Sequence, residues 1–424
     1  LLHMQGRCGI PDGRSGNRFA DDTGTEPLLE PRSILLRQRN HRILAEDMWQ
    51  PDGQEQREAH RDRDDTVPTR QGAHVIGLEQ FETGHAYGSS HGQSRVFRTT
   101  YDDLLYVQMA RESLGMWREL EQVTGRQFLD LTGLLVFASQ ENARFTRTLR
   151  TLAEAGLPHE VWDGPQVARR FPTFVFSERT VAFHASENGV LRTEVALEQL
   201  RSAAVRHGAE IRPGCRVTGL MPRGDRVRIE THEGVIEAAH AIVTAGPWLG
   251  KLLTGLNLPL EVTREQKAYF HVREPYRFHP DRFPVFCEYD TANYGFPSLD
   301  GDTLKVAADH QGVAVDPDDV DRTVAADYSR QMAEWLQRWQ PGVVRQAAGA
   351  SVCLYTNTPD RDFVIDRHPC HRQVVIGGGF SGHGMKFAIL VGKWLADLAV
   401  GATDPRPMTR FRIDRFGQDV LPVS

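Results

Sequence analysis

The chain has 424 residues, 40% hydrophobic and 25% charged, with 50 basic against 56 acidic residues and a net charge of −6. This length can build two α/β domains, and no apolar run approaches the roughly 18 residues that a membrane-spanning helix requires. The acidic balance provides no broad cationic field for a phosphate backbone, so the expected partners include neither nucleic acid nor membrane. Five cysteines, odd in number and scattered, fit a reducing compartment better than a disulfide framework. The opening LLHMQGRCGI has no signal-peptide core, and the cytoplasm is the expected location. Only five of the basic residues are lysines, at 251, 267, 305, 386 and 393. Lysine differs from arginine in being able to shed its proton when buried, which draws attention to Lys305 and Lys386.

Residues 1–71 hold 11 arginines, no lysine, and no sustained apolar period of 2 or 3.6 residues. They read as disordered or ill-packed. Beyond them the chain takes on α/β character. His74–Glu79 predicts a buried strand ending in an acid, and Leu104–Leu120 a helix stopped by Gly125. Leu131–Phe137 predicts a strand, Ala143–Ala155 a helix closed by Gly156, and Val195–His207 a helix leading into the strand Ala209–Arg212. Val227–Ala238 reads as a hairpin turned at His232–Gly234, and Ala241–Gly246 as a strand running into a tight turn. Alternating aromatic and β-branched residues over 260–310 predict an antiparallel sheet in a second domain. Last come a strand at Val374–Ile376, a glycine-rich turn at Gly377–Gly384 and an amphipathic helix at Met385–Val400.

Three segments carry chemistry. VVIGGGFSGHGMKF clusters glycines between strand and helix, where backbone amides can approach a ligand; in isolation the cluster reads as a loose turn. SVCLYTNTPD places Cys353 two residues before Tyr355, a position that by itself suits a small core residue. YGSSHGQSRVFR gathers His91, Arg95 and Arg98 in a small-residue loop, otherwise a solvated basic loop. His368–His371 (HPCH) reads as a turn, and no metal site is expected.

Together these motifs, from about Gly72 to Phe416, closely resemble the monomeric sarcosine oxidase and N-methyltryptophan oxidase family, within the D-amino-acid oxidase-like superfamily. The resemblance implies a two-domain α/β flavoprotein: a discontinuous Rossmann-like FAD-binding domain (72–130, 190–258 and 346–424) and a substrate domain with a mixed, mostly antiparallel sheet (131–189 and 259–345). It implies FAD joined through a thioether from Cys353 to the flavin 8α-methyl group. Arg98 and Lys386 match the pair that holds the substrate carboxylate. His91, Ser94 and Arg95 match flavin-side residues, with Ser94 in place of the commoner threonine, and Glu79 matches the acid on the ribose. Gly379, Phe380, Ser381, Gly382 and Gly384 form the matching glycine-rich flavin loop. Tyr294 and Tyr355 match pocket tyrosines, and Lys305 matches the lysine where oxygen is reduced. The implied reaction is oxidation of an N-methylated amino acid to the demethylated amino acid, formaldehyde and peroxide by a monomeric enzyme using dioxygen.

Two departures stand out. The family histidine four residues beyond the oxygen-site lysine falls on Asp309, with His310 one position later. Upstream of Glu79, where a dinucleotide-binding unit needs strand, G-x-G-x-x-G and helix, positions 51–63 read PDGQEQREAHRDR. The expectation is an out-of-frame or wrongly started segment over 1–71 and weak FAD binding by the chain as written. The alternatives are an oxidase of cyclic imino or glycated amino acids, or a non-catalytic chain that cannot hold FAD.

Overall fold

The computed structural model describes residues 73–401 and 408–417. The reading of residues 1–71, Cys8 included, lies outside the described residues.

The first strand, β1 (Ile76–Leu78), leads through a small-residue loop to β2 (Ser94–Phe97) and the long helix α1 (Leu104–Thr124). Asp103 caps α1 by accepting from the Leu105 and Tyr106 amides, and Gly125 ends it in the left-handed conformation at φ 64°. Its apolar face buries Tyr106, Val107, Met109, Ala110 and Trp117 at helical spacing. Next come β3 (Leu129–Asp130), β4 (Leu134–Ser139), α2 (Ala143–Glu154), β5 (Glu160–Asp163), α3 (Gly164–Arg170), β6 (Thr180–Ala185) and β7 (Gly189–Arg192). Helix α4 (Thr193–Arg206) then precedes β8 (Glu210–Arg212), a meander of β9 (Val217–Arg223), β10 (Arg226–Thr231) and β11 (Gly234–Ala238), then β12 (Ala241–Val243) and α5 (Leu249–Leu252). The later half comprises β13 (Glu261–Val272), β14 (Val285–Glu288), β15 (Asn293–Gly295), β16 (Thr303–Ala308), β17 (Val313–Ala314), α6 (Tyr328–Trp339), β18 (Val343–Asn357), β19 (Val364–Arg367), β20 (Val374–Gly378) and α7 (Ala388–Ala399).

Two kinds of sheet result. Short parallel pairs, β1 with β8 and β12 with β20, carry α/β character. A nine-stranded sheet joins β4, β5, β6 and β13 to β18, antiparallel throughout except where β14 runs parallel to β4. The fold is therefore a mixed α/β architecture with a mostly antiparallel large sheet, as the sequence predicts. Trp335 on α6 closes one side of that sheet, donating its indole N–H to the buried Glu288 carboxylate at 2.6 Å. Burial of such an aromatic contributes about 1.5–3 kcal/mol.

Local readings shift in three places. The strand expected over Leu131–Phe137 starts at Leu134, because Gly133 turns the chain at φ 78°. The loop expected over 87–98 ends in strand β2, whose Ser94–Phe97 pair with Arg192–Gly189 of β7. The last helix begins at Ala388, after a single 3-10 turn at Met385–Phe387 that follows Gly384.

Candidate active site

A cavity of about 1730 Å³ runs between the parallel pairs and the large sheet. Small-molecule pockets commonly hold about 300–1,000 Å³, so this one suits an extended ligand. The lining of one region is β1 through Glu79 together with β12; farther along come His91, Gly92 and Arg95, then Tyr355 and the turn Gly379–Gly384. Glu79 directly follows β1, its backbone paired to Arg212 and Cys215, and its carboxylate accepts from the Phe81 amide at 2.9 Å.

The glycine turn is built for close approach. Gly379, Ser381 and Gly382 all adopt left-handed backbone, with φ 59°, 44° and 75°. Ser381 endures this strain because it is buried and its polar groups are used: its amide donates to Thr356 at 2.9 Å, and its hydroxyl donates to Gly379 at 3.0 Å. A methyl group on Gly382 would lie 2.3 Å from the Tyr355 ring, and one on Gly384 2.5 Å from Phe380. Glycine is thus required here for contact as well as for φ. An acid at the end of a parallel strand, a basic small-residue turn and a glycine cradle fit the adenosine and flavin ends of FAD.

Register explains how distant residues meet. Across β13, Tyr269 faces Lys305, Glu265 faces Cys353, Lys267 faces Ser351 and Thr263 faces Tyr355, while Tyr294 faces both Ala307 and Cys287. Directly opposed residues project from the same side of a sheet, so Lys305, Tyr294, Cys353, Tyr355, Lys267 and Cys287 share one face. Strand β2 is tied to that face: the Lys305 ammonium donates to Ser94 O at 2.7 Å and approaches Ser94 Oγ at 3.1 Å. The same amine lies 4.3 Å over the Phe296 ring. Burial, then the charges of Arg95 and Lys267, holds the Lys305 pKa well below the usual lysine range.

Arg95 organises the turn before it, donating to the carbonyls of Ser89, His91 and Ser94 at 2.6, 2.7 and 2.9 Å. The His91 ring meets Gly88 O and Val352 O, both at 3.1 Å, and lies 3.4 Å from the Lys267 amine. Burial, reinforced by Lys267 and Arg95, brings its pKa down to about 4, so His91 is neutral at ordinary pH.

A second cluster holds Arg98 and Lys386. The Arg98 guanidinium lies 3.8 Å over the Tyr101 ring, the Lys386 amine 5.7 Å from the same centroid. Arg98 also donates to Thr100 O at 2.5 Å, and Lys386 to His383 O at 2.9 Å. Helix α1 fixes the Lys386 backbone, since the Trp117 indole donates to Lys386 O at 2.8 Å. Burial, then the neighbouring Arg98, lowers the Lys386 pKa well below the usual lysine range. Tyr355 lines the cavity, with its hydroxyl 3.5 Å from Asp309, whose charge reaches both Arg98 and Lys386, and its ring 5.4 Å from His310. His310 takes φ 54°, a left-handed kink at the end of β16 that brings both Asp309 and His310 to Tyr355.

All the residues singled out from sequence are thus distributed between the cavity and these two clusters. The structure adds Lys267, Tyr101, Cys287 and Tyr289, the last a buried tyrosine on which the Arg98 charge acts. The scarcity of lysine that marks Lys305 and Lys386 applies equally to Lys267; the other three carry no local signal and are recruited by sheet register and packing.

Comparison with known proteins agrees with this geometry. The FAD dependent oxidoreductase family, DAO, matches residues 69–398. Monomeric sarcosine oxidase of Streptomyces avermitilis is 36% identical over 348 residues, covering 80% of this chain and 91% of the relative. N-methyl-L-tryptophan oxidase of Yersinia pestis is 28% identical over 352 residues, covering 81% and 93%. Among solved structures, the amino acid oxidase NikD in its open form superimposes with a TM-score of 0.73 at 22% identity, covering 82% of this chain and 92% of NikD. With a glycine cradle, an acid-ended parallel strand and a family match across most of its length, the chain belongs to the DAO family of FAD-dependent oxidoreductases.

Proposed function

We propose that this enzyme oxidises N-methylated or other secondary amino acids to the imine, with dioxygen reduced to hydrogen peroxide, and that water hydrolyses the imine, which for an N-methylated substrate releases the demethylated amino acid and formaldehyde. The observation that carries the reading is the convergence of Arg98 and Lys386, 288 positions apart in sequence, on the one Tyr101 ring. A guanidinium fork with an ammonium is a strong anchor for a single carboxylate and selects amino acids over simple amines. Anchoring the carboxylate there turns the substrate nitrogen and its methyl group toward Tyr355, Tyr294 and Asp309. Burial raises the pKa of both tyrosines, so they remain protonated and can donate.

FAD, when bound, would supply the two-electron redox chemistry between the carbon next to the substrate nitrogen and oxygen. Glu79 would hold its ribose, and His91, Ser94, Arg95 and the Gly379–Gly384 turn its flavin end. Cys353, half-buried on the sheet face that carries Lys305, is the proposed point of covalent attachment. Protonated Lys305 offers a preorganised positive charge where superoxide forms. The two-domain division read from sequence, a monomeric state and a cytoplasmic location belong to the same proposal.

Oxygen uptake tests it. With sarcosine and other N-methyl amino acids, peroxide and formaldehyde should appear in equal amounts; absence of uptake with every secondary amino acid would overturn the reading.

A further inference from the structure

Near the Arg98 and Lys386 cluster lies a further cation, Arg144, whose charge reaches the same Tyr101, Cys287 and Tyr289 that Arg98 does. Arg144 lies in the first turn of α2, half-buried, with its guanidinium 4.4 Å over the Tyr289 ring. That turn carries no acidic residue. A cation at a helix N-terminus gains nothing from the helix dipole, so neither the helix nor a carboxylate of that turn offsets its charge. Among the described residues no carboxylate is paired with Arg144, whereas Arg147 in the same helix reaches Asp102 at 3.4 Å. Tyr289 follows β14, two residues after Cys287, which pairs in register with Tyr294. Thr148, one helical turn beyond Arg144, is fully buried, which turns this side of α2 inward.

The electrostatics agree with that placement. Burial raises the Cys287 thiol to about 11 and the Tyr101 hydroxyl to about 12, and both feel the opposing positive charges of Arg98 and Arg144. The two guanidinia therefore bear on one set of buried groups from different places in the fold, just after β2 and at the start of α2.

We propose that Arg144 is a second anion anchor and that the preferred substrates are N-substituted amino acids whose side chain ends in a carboxylate, the N-methylated aspartate and glutamate class. This rests on the reading of Arg98 and Lys386 as the anchor for the α-carboxylate. Asp309 is the acid in contact with Tyr355, and it faces the amine end of the substrate; it leaves Arg144 without a counter-ion, which the second carboxylate supplies. Arg144 makes no contact with the reacting atoms in this assignment. It sets specificity.

Isothermal titration of the purified protein with succinate and with butyrate, equal in carbon number and differing by one carboxylate, tests the assignment. Wild type should bind succinate at least about tenfold more tightly, the scale of one charge-assisted contact. Arg144→Gln should abolish that preference while leaving butyrate affinity unchanged, and Arg144→Lys should restore part of it. Equal binding of the two acids by wild type, or an unchanged preference in Arg144→Gln, would overturn the role of Arg144. Failure of wild type to bind either acid would overturn the α-carboxylate anchor itself, and this inference with it. Activity should follow binding: kcat/KM for N-methyl-L-aspartate relative to N-methyl-L-alanine should fall by the same factor in Arg144→Gln.

Discussion

Replacing Arg98 by alanine should weaken carboxylate binding by about 10- to 150-fold at neutral pH. The guanidinium spends one N–H on Thr100 O and stacks on Tyr101, leaving its other donors for a ligand. Losing a charge-assisted hydrogen bond of about 1.5–3 kcal/mol gives that range. A second consequence follows from Lys386. Its proton affinity is lowered first by burial and next by Arg98. Carboxylate binding needs the protonated amine, so in wild type affinity falls as pH rises through the lowered Lys386 pKa. Without the Arg98 charge the amine keeps its proton to higher pH, so the fall moves upward and the difference between variant and wild type narrows over that interval. Calorimetric titration with acetate across the neutral to alkaline range reads both effects. Equal affinity at every pH would remove Arg98 from the anchor, and an unmoved inflection would show that the two cations are not coupled.

Other perturbations test the remaining parts of the site. Lys305→Met should slow reoxidation of the reduced enzyme by oxygen by about 10²-fold, with reduction by substrate changing less, as read by stopped-flow absorbance of each half-reaction. In wild type the same step should slow as pH rises, because Lys305 loses its charge below the usual lysine range. Cys353→Ser should leave flavin that acid precipitation releases into the supernatant; acid-stable flavin in the variant would place the attachment elsewhere. Gly382→Ala forces a left-handed φ of 75° and a contact of 2.3 Å with Tyr355, and should lower stability by about 1–3 kcal/mol in urea unfolding while reducing flavin retention.

Much of this fold is legible along the chain because its signals are local. Asp103 and Gly125 bracket α1 with a side-chain acceptor and a left-handed residue, and both chemistries appear in the sequence. The hairpin of β10 and β11 turns where His232–Gly234 requires it. The glycine cradle is equally local, since VVIGGGFSGHG spells out a buried strand and the positions where a Cβ would collide. Strand β2 is harder to read: Ser94–Phe97 has few apolar residues and is stabilised by β7, almost a hundred positions later.

The roster of candidate site residues divides in the same way. Motif residues such as Cys353, Lys386 and Arg98 stand in recognisable strings, and the rarity of lysine is enough to mark Lys305. Tyr101, Tyr289, Cys287 and Arg144 lie in unremarkable strings, and nothing local distinguishes them from core or surface residues. Their convergence depends on cross-strand register, in which a slip of one residue would turn Cys287 and Tyr294 to the opposite face. It depends as well on the left-handed kink at His310 that brings Asp309 to Tyr355. The sequence by itself pointed to most of the elements through short-range sterics and spacing, and to the family and the candidate flavin- and carboxylate-holding residues through the resemblance its motifs carry. Tertiary structure alone decided which charges act on the same buried groups, because the proton affinity of a lysine and the worth of an unpaired arginine depend on neighbours that only the folded sheet assembles.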